Sequence, residues 1–192
     1  TTGLDPDNDV ILEIGAVKFS DQLIEDEFQK LLNPERRIPA FVTQLTGITN
    51  DMVADKPPLD VVLPQLTDFV RTAPVLGHNV GFDLGFVRKH GALQMNAHID
   101  TMDLAAAVLP AARDRRYSLG ALATELGVAL PATHRALDDA RVTHAVYLEL
   151  LNLARELPVD VLAELVRLGK GIESGANLPL QMLLEARSVE KH

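Results

Sequence analysis

Apolar and polar residues alternate along the first part of the chain and follow helical spacing farther on. Alternation over residues 10–19 and 23–32, joined by the short link Ser20-Asp21-Gln22, predicts an antiparallel hairpin. Short apolar runs at 74–77 and 97–101 predict two further strands, the first followed by a helix that ends at Gly91. Helical periodicity predicts further helices at residues 41–45, 61–71, 102–109, 118–127, 135–153, 159–168 and 178–186.

The order of these elements indicates the fold class. Two strands come first and strands alternating with helices follow, which predicts an α/β protein with a mixed sheet flanked by helices. The character of the sequence changes after Pro158, where a short helix is followed by a glycine-rich stretch. We therefore expect a domain at residues 1–152 and a helical extension or linker at 153–192.

Composition narrows the class of protein. The 192 residues include no cysteine, which excludes disulfides and cysteine-bound zinc and suits a reducing compartment, so we expect a cytoplasmic protein. No apolar run approaches the length of a membrane span. The formal charge of −9 repels a phosphate backbone overall, so a nucleic acid would be held locally, by metals, backbone amides or a small basic patch. Arg113, Arg115 and Arg116 form one basic cluster, for which a solvated loop is an equally good interpretation.

A histidine and a carboxylate stand at the start of the longest predicted helix. His134 precedes Asp139 by five positions, and two helical residues at that spacing would point roughly 140° apart. They converge if His134 lies in the approach loop and Asp139 in the first turns of the helix, as Pro131 and Thr133 just upstream favour. Such a pair suits a general base beside a metal ligand. Taken alone, a surface histidine near a solvated aspartate explains it as well.

A second group of polar residues follows the predicted strand at 74–77. His78 and Asn79 stand at its carboxyl end, where α/β sheets usually build their sites, and Asp83 lies in the first turn of the next helix. Phe82 could offer a flat surface to a ligand, and Asp100 could also reach a site. The alternatives are a helix-dipole aspartate at 83 and simple core packing for Phe82.

Several separated stretches resemble the histidine subgroup of the DEDD 3′–5′ exonucleases, the family of the polymerase III proofreading subunit. Residues 1–4 and 11–17 resemble the sequence that follows the first motif of the family, and Leu-Thr-Gly-Ile-Thr at 45–49 matches a family turn. Gly-His-Asn-x-x-Phe-Asp at 77–83 resembles the second motif, and His-x-Ala-x-x-Asp-Ala at 134–140 resembles the third. The order and spacing of all these stretches agree with the family.

The resemblance implies a mechanism and a set of site residues. In the family, four acidic residues hold two Mg²⁺ or Mn²⁺ ions that clamp the scissile phosphate. Asp83 and Asp139 correspond to metal ligands, and His134 to the base that deprotonates the attacking water. The residues that we expect around the substrate, a 3′-terminal nucleotide, are Thr1, Thr2, Gly3, Leu4, His78, Asn79 and Phe82.

The first motif of the family, Asp-x-Glu, would stand directly before Thr1 and is absent from the sequence. In the ribonuclease H-like fold that the resemblance implies, this motif lies on the central strand. We therefore expect the first strand to be missing from this chain, the natural protein to continue upstream, and the chain as written to hold two metals poorly and to be inactive or nearly so.

The leading functional hypothesis is an exonuclease domain that acts on single-stranded or frayed 3′ ends of DNA. The form of the third motif is closer to Gram-positive polymerase and DinG-type helicase domains, so a fused or associated polymerase or helicase in replication or repair is expected, without a membrane partner. Two alternatives remain at this stage: an exonuclease that trims RNA 3′ ends, and a non-catalytic module that binds nucleic acid or a partner. The absent carboxylates favour the module, whereas His134 and Asp139 favour an enzyme.

Overall fold

The computed structural model describes residues 1–110, 117–131 and 135–189, which contain four strands and nine helices. In chain order these are β1 (Glu13–Ser20), β2 (Leu23–Leu31), α1 (Ala40–Thr46), α2 (Asn50–Val53), α3 (Leu59–Val70), β3 (Val75–Gly77), α4 (Val80–Lys89), β4 (His98–Asp100), α5 (Thr101–Val108), α6 (Leu119–Glu125), α7 (Ala136–Glu156), α8 (Val159–Gly169) and α9 (Asn177–Val189). Every predicted strand and helix is present, and the mixed α/β class is confirmed. No helix in these described ranges has both the length and the apolar character needed to cross a membrane.

The chain divides into two compact units. The first comprises Thr1–Ala73, Gly81–Asn96 and Pro131–Arg141, and the second comprises Pro74–Val80, Ala97–Leu130 and Val142–His192. Their sheets differ: β1 and β2 form the predicted antiparallel hairpin, and β3 and β4 form a parallel pair.

The first unit is built on the β1–β2 hairpin. Its two strands run in register from Glu13 opposite Leu31 to Ser20 opposite Leu23, and Asp21 takes the left-handed conformation at the turn. Beside it lies a buried apolar cluster: Leu12, Ile38, Val42, Ile48 and Val53.

β1 begins at Glu13, three residues later than the alternation predicts. The backbone groups of Val10 are already hydrogen-bonded to Thr2. Thr2 N–H donates to Val10 O at 2.8 Å, and Val10 N–H donates to the Thr2 hydroxyl at 3.1 Å. The Thr2 hydroxyl in turn donates to Asp9 at 2.9 Å. Residues 1–10 therefore fold back on themselves instead of extending the hairpin.

The second unit contains the parallel pair and the last helices. β3 and β4 align Val75 with His98 and Gly77 with Asp100. Asp100 N–H donates to Gly175 O at 3.2 Å, and Gly175 N–H donates to the Asp103 carboxylate at 2.7 Å. The glycine-rich stretch thus lies against the end of β4, and α9, at 13 residues, is longer than the sequence predicts. The domain boundary expected after residue 152 stays a prediction.

Candidate active site

The start of α7 is anchored to β1 by a single carboxylate. Glu13 accepts hydrogen bonds from Arg135 Nη2 at 2.6 Å, Arg135 Nε at 3.0 Å and Ala136 N–H at 3.0 Å, and Gln29 Nε2 adds one at 2.9 Å. The carboxylate therefore caps the positive end of the helix while pairing with the residue before it. Asp139 lies in the first turn of α7, as predicted.

The backbone of β1 also approaches α7 closely at Gly15. A Cβ atom added there would lie 2.2 Å from Leu137 N and 2.3 Å from Ala136 C, far inside van der Waals contact. Only glycine permits this approach. Glu13 and Gly15, on the same face of the strand, thus fix the first turn of the helix from two points.

Glu13 and Arg135 are both charged at neutral pH. The Glu13 side chain is only 5% exposed. Burial raises its pKa, but hydrogen bonds from Arg135, Ala136 and Gln29 together outweigh burial and hold the pKa below its ordinary value. The hydrogen bond to Glu13 raises the pKa of Arg135. Sequence reasoning missed Glu13, although a lone charge between Leu12 and Ile14 in an apolar strand was an available signal.

Three carboxylates, those of Asp83, Glu13 and Asp9, place negative charge near Thr1. Asp83 and Thr1, both predicted site residues, are therefore close enough for their charges to interact, and Glu13 connects this region to the start of α7. Asp83 is exposed and lies in the first turn of α4.

The other predicted residues near the N-terminus differ in accessibility. Thr2 is buried and engaged with Asp9 and Val10. Gly3 faces the carboxylate of Asp9, which a Cβ atom would meet at 2.3 Å. Leu4 is 82% exposed, so its side chain is available to a ligand.

Phe82 combines packing with partial exposure. Its ring meets the buried Phe86 ring edge to face, with centroids 5.2 Å apart. The neighbouring Gly81 faces open space, since a Cβ atom there would contact nothing within 4 Å. A half-buried aromatic ring beside open space can both stabilise α4 and receive a flat group.

His78 and Asn79 belong to the second unit. His78 Nδ1 lies 2.8 Å from the Thr101 hydroxyl, and burial lowers the pKa of the imidazole, opposed by the Tyr117 carbonyl and the Asp100 charge. Asn79 has a positive φ of 60°, and its N–H donates to Asp100 at 3.0 Å.

Asp100 serves backbone structure. Its carboxylate accepts hydrogen bonds from Asn79 N–H at 3.0 Å, Val80 N–H at 2.8 Å and Met102 N–H at 2.9 Å. It therefore fixes the turn that leads into α4 and caps α5. These three hydrogen bonds occupy the carboxylate that the sequence suggested could reach a site.

His134 and the arginine cluster at 113, 115 and 116 lie outside the described residues. Within the described ranges, no group of three or more His, Asp or Glu side chains is arranged to hold a metal ion. Asp83 and Asp139 offer oxygen donors, the type that Mg²⁺ and Mn²⁺ bind, and both belong to the first unit. The donor chemistry thus fits these ions.

Comparisons with known proteins agree on one family. The RNase_T family model, described as "Exonuclease", matches residues 1–147. DNA polymerase III PolC-type of Thermotoga petrophila is 38% identical over 184 residues, which are 93% of this chain and 13% of that protein. The 3′–5′ exonuclease DinG of Bacillus subtilis is 36% identical over 96% of this chain and 20% of its own length. DNA polymerase III subunit epsilon of Treponema pallidum is 37% identical over 147 residues, which are 74% of this chain and 68% of that subunit.

Solved structures agree on the fold. Exonuclease X, in complex with 5′ overhanging duplex DNA, is 29% identical and superposes with a TM-score of 0.66 over 86% of this chain and 94% of its own. The nuclease domain of 3′hExo, a DEDDh family member, gives a TM-score of 0.62 at 20% identity over 74% of this chain and 81% of its own. The fold is therefore the ribonuclease H-like fold of these exonucleases, which in general depend on divalent metal ions.

Proposed function

Because the chain belongs to the exonuclease family whose model matches residues 1–147, we propose that it forms a domain that removes nucleotides from DNA 3′ ends. The observation that carries the proposal is the hydrogen bonding of Glu13 to the start of α7, which fixes the turn that contains Asp139. Asp139 and Asp83 belong to the same unit. The relatives named as DNA polymerase III and the DNA complex of Exonuclease X support DNA as the substrate.

Each predicted site residue has a role in the proposed reaction. Asp83 and Asp139 would hold Mg²⁺ or Mn²⁺, two ions in the complete family site, with two further carboxylates contributed by the Asp-x-Glu motif. Bound metal would supply charge stabilisation for the attacking and leaving oxygens of the phosphodiester. His134, two residues before α7, would accept the proton of the attacking water, which requires a neutral imidazole.

The remaining residues would bind the end of the strand. Exposed Leu4 and half-buried Phe82 offer apolar surface to the terminal base, and the backbone of residues 1–4 offers polar groups. We propose that His78 and Asn79 contribute to strand binding through the turn before α4, because the His78 ring is itself hydrogen-bonded to Thr101.

The chain spans 13% of its PolC-type relative and 20% of DinG. We therefore propose that the domain acts within a larger cytoplasmic polypeptide of replication or repair, fused to or associated with a polymerase or helicase. Its substrate there would be a single-stranded or frayed 3′ end.

Digestion of single-stranded DNA labelled at either end tests the proposal. With Mg²⁺, a 5′ label should give a ladder of shortened strands, a 3′ label should leave at once as a mononucleotide, and EDTA should stop both. The 192-residue chain is assayed beside a version extended upstream of Thr1 by a strand carrying Asp-x-Glu, because the resemblance places two carboxylates there. Asp139→Asn is the control.

Three results would contradict the proposal. Digestion from the 5′ end or at internal positions would exclude this polarity. Binding of DNA without hydrolysis by either form would indicate a non-catalytic module. Faster digestion of a matched RNA strand would reassign the substrate to RNA.

A further inference from the structure

A lysine on α4 holds the N-terminal loop, residues 4–9, from outside. Lys89 Nζ donates to Pro6 O at 2.7 Å and lies 3.4 Å from a carboxylate oxygen of Asp7. One helical turn before Lys89, a Cβ atom at Gly85 would lie 3.4 Å from Pro6 Cγ, which is ordinary van der Waals contact. The N-terminal loop therefore lies against the side of α4 that carries Gly85 and Lys89, within the first unit.

A second cation holds the other end of the N-terminal loop. Arg36 Nη1 donates to Asn8 O at 2.7 Å. Like the Lys89 contact with Pro6, this is a charge-assisted hydrogen bond to a backbone carbonyl. The two cations therefore fix the path of the main chain at two points, and not only the position of one side chain.

Leu4 is fixed within the loop by the carboxylate of Asp9. Asp5 N–H donates to Asp9 Oδ2 at 3.1 Å, and the Thr2 hydroxyl donates to Asp9 Oδ1 at 2.9 Å. Gly3 lies against the same carboxylate, which a Cβ atom there would meet at 2.3 Å. The residues on both sides of Leu4 are thus bound to one group, while the Leu4 side chain is 82% exposed. The place of Leu4 follows from the place of the loop as a whole.

We propose that Lys89 and Arg36 are positioning residues, which hold Leu4 at a fixed distance from Phe82 so that both apolar side chains meet the terminal base of the strand. Phe82, Gly85 and Lys89 follow the i, i+3, i+7 spacing of one helix face, so the loop lies along the face that carries Phe82. The inference deepens the proposed function and rests on it. Neither cation touches the base in this assignment.

The exposure of these contacts separates positioning from folding. The Lys89 side chain is 39% exposed and that of Asp7 is 87% exposed. Exposed pairs contribute little to stability, so removing one should leave the urea midpoint near its wild-type value. What changes is the fraction of molecules in which Leu4 is in place, and the apparent affinity falls with that fraction. A fraction of about one third to one tenth raises KM by about 3- to 10-fold while kcat stays within about twofold.

Lys89→Met is the informative substitution, and Lys56→Met is its matched control. The Lys56 side chain is also 39% exposed, and its Nζ lies 3.1 Å from the neighbouring Asp55. Each substitution removes one positive charge, so a general loss of attraction for DNA is the same in both. In the form of the chain that hydrolyses DNA, Lys89→Met should raise KM by about 3- to 10-fold and Lys56→Met by less than about twofold.

Two more variants complete the set. Lys89→Arg keeps a cation and its donors, so it should stay within about twofold of wild type. Arg36→Met should raise KM in the same way as Lys89→Met, and it takes the place of Lys89→Met if that variant does not fold. An unchanged KM in Lys89→Met, or an equal rise in Lys56→Met, overturns the inference.

A double-mutant cycle identifies the side chain through which Lys89 acts. In a Leu4→Ala background, Lys89→Met should raise KM by less than about twofold, because the side chain that Lys89 positions is gone. An equal rise in both backgrounds overturns the inference and assigns Lys89 a direct electrostatic attraction for the strand.

A spectroscopic comparison decides the positioning without activity. The methyl resonances of Leu4, identified by their loss in Leu4→Ala, are compared by NMR in the 192-residue chain. Lys89→Met should shift them and Lys56→Met should not; unshifted resonances in Lys89→Met overturn the inference. If no form of the chain hydrolyses DNA, the proposed function fails, and this comparison still decides whether Lys89 positions Leu4.

Discussion

Gly15 is where β1 and α7 come closest, and Gly15→Ala perturbs this contact with a single methyl group. The added Cβ would lie 2.2 Å from Leu137 N and 2.6 Å from Leu137 Cα. These are backbone atoms of a helix, so no side-chain rotation relieves the overlap, and strand and helix must separate by roughly 1 Å. Overpacking of this kind costs about 1–3 kcal/mol in the free energy of unfolding. The same movement displaces the first turn of α7, and a misplacement of about 1 Å can lower a catalysed rate roughly 100-fold.

Urea denaturation and DNA hydrolysis measure the two effects separately. The control is Gly120→Ala in α6, where the new Cβ meets only the Leu130 side chain at 3.9 Å. That substitution makes the same change to the unfolded chain but should stabilise the helix by about 0.5–1 kcal/mol. If Gly15→Ala were as stable as Gly120→Ala and hydrolysed DNA at the wild-type rate, the close approach of strand and helix would be refuted.

Three further predictions concern titration and the proposed metal ligands. Asp83→Asn and Asp139→Asn should each lower metal-dependent hydrolysis by at least about 100-fold, measured on a labelled DNA strand. The fold lowers the pKa of Glu13, so the charged carboxylate should stabilise the fold fully above its ordinary pKa of 4.5 and lose that effect as pH falls through the folded value. Urea titrations from neutral to acid pH should show this loss of stability, and the loss should be smaller in Glu13→Gln. Partial burial of the His78 imidazole favours the neutral form, so an NMR titration should place its pKa below 6.5, and folding should weaken as pH falls below that value.

Much of the site's framework could be predicted from local pattern. Alternation identified the hairpin, and the change from strand to helical spacing placed Asp83 and Asp139 in the first turns of their helices, which the structure confirms. These features depend on residues within a few positions of one another. The family was indicated by the second and third motifs together with the stretch that follows the absent first motif, and one of these alone would not have identified it.

The features that sequence reasoning missed depend on contacts between distant residues. Glu13 stands out as a lone charge in an apolar strand, but nothing local identifies its partner Arg135, which lies 122 positions later. From the sequence, Asp100 is a carboxylate at the end of a strand; the structure shows that three backbone N–H groups donate to it. The periodicity of a sequence predicts which face of a strand or helix a residue occupies, but not which distant residues contact that face.

The decisive experiment is single-turnover hydrolysis of a 3′-ended DNA strand at saturating Mg²⁺, by the form extended upstream with Asp-x-Glu and by its His134→Ala variant. We expect metal-dependent release of 3′ nucleotides by the extended form, and a rate that falls by about 100- to 10,000-fold in His134→Ala, with DNA binding and folding retained. An undiminished rate in His134→Ala would contradict the assignment of the base. Absence of 3′ release in both the 192-residue chain and its extended form would contradict the exonuclease proposal itself.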